Sequence, residues 1–129
     1  MDSGADEARI QIARLARQKD ARIVPNSTEM PCDWHPTTVT SPAGLPFTPS
    51  GAWHFIAELA ESGHRIEKVL MEKPQGEIGY VMVKKFADGA SDLYIKVQLK
   101  RGRIWGRSFH YSTKLVEGVE KEKKYEQSR

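Results

Sequence analysis

Residues 92–112 read Asp-Leu-Tyr-Ile-Lys-Val-Gln-Leu-Lys-Arg-Gly-Arg-Ile-Trp-Gly-Arg-Ser-Phe-His-Tyr-Ser, two β-branched and aromatic runs on either side of a short polar turn at Gly102. That is the pattern of a β-hairpin. In the first run Leu93, Ile95, Val97 and Leu99 alternate with Tyr94, Lys96, Gln98 and Lys100. A period of two places the aliphatic set on one face of a strand and the polar set on the other. The aliphatic face needs a covering layer, and the polar face is the place to look for chemistry.

The length of the turn decides which residues of the second run share the polar face. An even-numbered loop would put Ile104, Gly106, Ser108 and His110 behind the aliphatic face, a poor core. An odd-numbered loop with Gly102 in the left-handed region puts Trp105, Phe109 and Tyr111 there and sends Ser108 and His110 to the side of Tyr94 and Lys96. The second arrangement is the expected one. It leaves Arg107 on the buried side unless Gly106 marks a bulge that re-aims it.

The covering layer is legible upstream. Thr48 is placed as an N-cap with Pro49 at the first helical position, and Ala52, Phe55, Ile56, Leu59 and Ala60 follow at helical spacing as far as Gly63, so a helix is expected over 49–62. Ile66, Val69, Leu70 and Met71 resume an apolar pattern consistent with strand or helix. A turn at 74–76, a strand over 78–86 and a turn at 87–89 lead into the hairpin. Consecutive strands without intervening helices give an antiparallel sheet, so the expected fold is α+β, a small antiparallel sheet packed by one main amphipathic helix.

Outside this unit, residues 5–22 are rich in strong helix formers with a narrow Ile12, Leu15, Ala16 stripe, and an extra helix is expected within an N-terminal arm over 1–24. Its Arg9, Arg14, Arg17, Lys19 and Arg22 fit a solvated face better than a phosphate contact. Six of the seven prolines fall between 25 and 49, which reads as a wrapped loop pinned by Trp34, Val39, Leu45 and Phe47, with a short edge strand at 37–40. The single α+β domain thus spans 25–112. A charged tail over 113–129 is expected to be helical or disordered.

With 129 residues and 39% hydrophobic composition, the chain holds one modest core. A net charge of +3 suits a polyanionic partner without requiring one. A single cysteine, Cys32, argues against a disulfide framework, and no N-terminal apolar run suggests secretion, so a cytoplasmic bacterial protein is expected. No apolar stretch approaches the roughly 20 residues of a membrane span. Cys32, Asp33 and His35 have no second Cys/His pair at ligand spacing, so no metal and no cofactor is expected.

The Tyr94-Ile95-Lys96 strand, a short turn and then Ser108-Phe109-His110, preceded by the helix over 50–63 and by Lys68, resemble the MqsR family of messenger-RNA-cleaving toxins over roughly residues 47–112. His110 stands where that family has lysine, and Val69 follows Lys68 where it has serine. The resemblance implies a RelE-like fold, metal-independent endoribonuclease activity on single-stranded mRNA, and a cognate antitoxin protein. It assigns Lys68, Tyr94 and the position of His110 to the site. Strand parity independently groups Tyr94, Lys96 and His110. The expected catalytic set is therefore His110, Tyr94, Lys68 and Lys96, with Gln98, Lys100, Arg101, Arg103 and Arg107 contacting RNA. The competing reading is a non-enzymatic module that binds nucleic acid or protein through the same basic and aromatic face.

Overall fold

A computed structural model describes residues 3–25, 27–86 and 91–112; the expected turn at 87–89 and the charged tail lie outside them. The elements are α1 (Ser3–Ala16), β1 (Arg22–Ile23), β2 (Asp33–Trp34), α2 (Pro49–Glu61), β3 (Glu67–Glu72), β4 (Gln75–Lys84), β5 (Leu93–Lys100) and β6 (Arg103–Tyr111). The class is α+β, as expected, with β3, β4, β5 and β6 antiparallel in chain order. The purely antiparallel expectation is corrected at the edge. Strands β1 and β2 both run parallel to β6, pairing in succession with Ile104–Trp105 and Ser108–Phe109. The intervening chain is long enough to return to the same end of the sheet, which parallel pairing requires.

Thr48 caps α2, its hydroxyl accepting from the Gly51 N–H at 2.9 Å, and Gly63 leaves the helix at φ 85°. Ile56 and Leu59 are buried as the spacing implies. Phe55 is only half-buried, between Phe47 and Phe86. The heaviest buried side chain of α2 is Trp53, which stacks 4.8 Å from Trp34, a contact the helical stripe does not announce. Helix α1 ends at Ala16, short of the expected 22, and its Ile12, Leu15 and Ala16 enter the same core. Arg9 donates to the carbonyls of Ala60 and His64, and Arg17 pairs with Glu61. Those cations fasten α1 to α2.

In the proline-rich segment the strand expected at 37–40 is absent. Residues 36–38 form a helical turn, and Thr40 makes only an isolated bridge to Pro46. The ladder forms instead at Asp33–Trp34, where Trp34 gains burial against Trp53 and Phe109. Val39 and Phe47 are buried, but Leu45 is 67% exposed and pins nothing.

The hairpin turn has the even length that sequence reasoning had set aside. Lys100 pairs with Arg103, leaving Arg101 and Gly102 at φ 58° and 72°, a two-residue turn of the kind that matches strand twist. Ile104 is therefore buried opposite Leu99, and Trp105 lies with Gln98 on the polar side instead of behind the aliphatic face. Between the pairs Val97–Gly106 and Lys96–Ser108, β6 carries one extra residue, Arg107. This bulge reverses the alternation beyond it, so that Ile95 faces Phe109 in the core and Tyr94 faces His110 on the other side.

Candidate functional site

On the sheet face opposite the helices, the register lines up two rows. Val83, Tyr94 and His110 form one; Glu67, Val81, Lys96, Ser108 and Asp33 form the next. Strand β3 and the segment 31–33 stand as walls on either side of this floor, enclosing a cleft of about 880 Å³. Met71 packs over Gly79 on this face, where a Cβ would meet its sulfur at 3.0 Å and shift it slightly.

Tyr94 and His110 rings lie 5.6 Å apart. His110 Nδ1 is 2.8 Å from the Tyr111 carbonyl, and Nε2 is 3.6 Å from Asp33 Oδ2. A carbonyl only accepts, so Nδ1 carries a hydrogen, and Nε2 is the nitrogen turned toward the Asp33 carboxylate. The other oxygen of Asp33 lies 3.1 Å from His35 Nε2. Among the described residues no three His, Cys, Asp or Glu side chains are grouped so as to hold a metal ion.

Lys96 sits largely inside the cleft, and burial, reinforced by the nearby Arg107 charge, lowers its pKa; Glu72 and Asp33 oppose the shift. Burial raises the pKa of the Cys32 thiol, which donates to the Gly106 carbonyl. Arg107 has 3% of its surface exposed. It donates to Pro31 O at 3.2 and 3.1 Å, to Lys73 O at 2.6 Å, and to the Gln98 side-chain oxygen. Gln98 passes the chain on to Glu77, which also pairs with Lys100. Hydrogen bonds from Gln98 and then Lys100 hold the Glu77 carboxyl below its ordinary range.

The expected site residues divide accordingly. Tyr94, Lys96 and His110 come together. Lys68 lines the β3 wall of the same cleft, although its register partner is Tyr80, on the helix-bearing face. Gln98 and Arg107 are buried and bonded to each other, so they brace the site and present no open RNA surface. Lys100 lies 5.2 Å from the Trp105 ring centre, while Arg101 and Arg103 are exposed at the hairpin tip. Sequence reasoning had considered Asp33 only as a metal ligand; its partnership with His110 depends on the β2–β6 pairing, for which a two-residue strand gives almost no signal. Comparison with protein families, curated proteins and solved structures finds no match to this chain.

Proposed function

We propose that this protein is a metal-independent endoribonuclease acting on single-stranded RNA at the mouth of the cleft, as the resemblance to the MqsR-type toxins implies. The observation that carries the reading is His110, its Nδ1 held by the Tyr111 carbonyl and its Nε2 3.6 Å from the Asp33 carboxylate, sharing one face with Tyr94 and the half-buried cation Lys96. In the proposed reaction the ribose 2′-oxygen attacks phosphorus and its proton passes to His110 Nε2. The phosphorus–O5′ bond breaks as Lys96 gives a proton to the leaving oxygen, yielding a 2′,3′-cyclic phosphate and a 5′-hydroxyl. Proton exchange with solvent resets both groups. Lys96 also balances charge on the phosphorane, and Tyr94 orients the phosphate. A lysine whose pKa is lowered by burial is a better acid for this step than a solvated one.

The same reading includes a RelE-like arrangement, bacterial cytoplasm as the compartment and a cognate protein that restrains the enzyme. No helix among the described residues is long and apolar enough to cross a membrane. The test is single-turnover cleavage of a mixed-sequence RNA in EDTA by wild type and His110→Ala. Cyclic-phosphate products from wild type and their loss in the mutant are expected. Undiminished cleavage by His110→Ala, or abolition by the chelator, overturns the mechanism.

A further inference from the structure

The two ends of the cleft differ. At the inner end the Arg107 guanidinium bonds both Pro31 O, on the β6 side, and Lys73 O, at the β3–β4 turn, so one side chain ties the two walls together across the floor. Gln98 and Trp105 continue the same sheet face but lie outside the cleft. The outer end carries Val83, Tyr94 and Asp33, with His110 beside them. A strand of RNA laid along β5 would run into the Arg107 clasp. The sides also differ. The β3–β4 half offers an apolar patch of Val69, Met71 and Val81 edged by Glu67 and Glu72, whereas the opposite half offers Lys96 and Ser108 with Asp33. A flat, weakly polar ring joined to an anion matches both halves, and about 880 Å³ lies within the range of small-ligand pockets.

We propose that the cleft is a blind pocket for one nucleotide of the RNA, its base against Val69, Met71 and Val81 and its phosphate at Lys96, and not a groove for a continuous strand. The inference rests on the ribonuclease reading for the identity of the ligand. It makes the enzyme selective at one splayed-out base beside the cut.

The test is calorimetric titration of the protein with nucleoside 3′-monophosphates, the corresponding nucleosides and inorganic phosphate, with RNA cleavage measured on the same samples. Monophosphates are expected to bind at least about tenfold more tightly than nucleosides or phosphate alone, since each of those engages only one half. Val69→Trp, which fills the apolar half, should weaken nucleotide binding about tenfold or more at unchanged melting temperature, and Lys96→Met should abolish the advantage over nucleosides. Equal affinity for phosphate and nucleotide, or full binding by folded Val69→Trp, overturns the pocket. Cleavage of RNA by a protein that binds no mononucleotide removes the pocket and keeps the ribonuclease. Tight nucleotide binding without any cleavage does the reverse.

Discussion

His110 Nε2 stands 3.6 Å from Asp33 Oδ2 because β2 runs parallel to β6 and sets Asp33 opposite Ser108. Trp34, the next residue, turns to the other face and packs on Trp53 and Phe109, so the core contact that anchors β2 also aims the carboxylate. Asp33 can therefore stabilise the imidazolium that forms once His110 Nε2 has taken up a proton. Asp33→Asn, which keeps the shape and removes the charge, should lower kcat while leaving KM close to wild type. His110→Ala should cost more, roughly 10²–10⁴-fold in single-turnover rate, with RNA binding retained. Equal losses in KM and kcat for Asp33→Asn would show that it binds RNA instead.

Lys96 gives a pH signature in both activity and stability. Burial is the main reason its pKa is lowered, with Arg107 adding to the shift, so the basic limb of the cleavage profile should fall below the ordinary lysine value near ~10.4. The stability effect has the sign of a depressed base. At pH values below the folded pKa the half-buried ammonium costs stability; as pH rises through that value toward the unfolded one, the unfolded state binds more protons and the cost is relieved. Lys96→Met should remove that rise in urea-melt stability on the alkaline side. An identical alkaline slope in the mutant would assign it to another group.

The fold was legible where one residue's surroundings are local. Thr48 and Gly63 bound α2 through their own backbone needs, and Leu93 to Val97 declare their faces by alternation. That Tyr94, Lys96 and His110 share one face is also expected from the sequence, but by a route that the structure replaces. The turn is even because Arg101, a non-glycine residue, accepts φ 58°, and the Arg107 bulge then restores the parity. Two departures from the assumed ladder cancel, and only the stretch between them, with Ile104 and Trp105, ends on the unexpected side. The face of Lys68 depends on which β4 residue it meets, and the β3–β4 register is not written in either strand alone. Asp33 and Arg107 depend on contacts between distant parts of the chain, which periodicity does not reveal.

Arg107 is a structural clasp before it is anything else. Arg107→Met keeps much of the length but leaves the carbonyls of Pro31 and Lys73 and the Gln98 side chain without their donor. Each acceptor left dry costs roughly 1–3 kcal/mol, so a total loss on the order of 3 kcal/mol or more is expected in urea unfolding. Cleavage should fall along with it, because the wall carrying Asp33 is held by the same bonds. A mutant as stable as wild type would show that water replaces the guanidinium without penalty.

Gly106 offers a sharper link between core and site. A Cβ at this position would stand 2.7–2.9 Å from three atoms of the Trp34 ring, closer than carbon atoms pack. The ring cannot retreat easily, since Trp53 lies 4.8 Å away on one contact and Phe109 5.5 Å on another. Gly106→Ala should therefore cost roughly 1–3 kcal/mol through overpacking, and the displaced Trp34 should carry Asp33 away from His110. Ile56→Ala is the control: Ile56 is fully buried on α2, and its truncation should cost about 2–5 kcal/mol without moving β2. At a temperature where both variants remain folded, Gly106→Ala should lose single-turnover cleavage and Ile56→Ala should keep it. Equal activity per folded molecule in the two would mean that the position of β2 does not govern the His110–Asp33 pair.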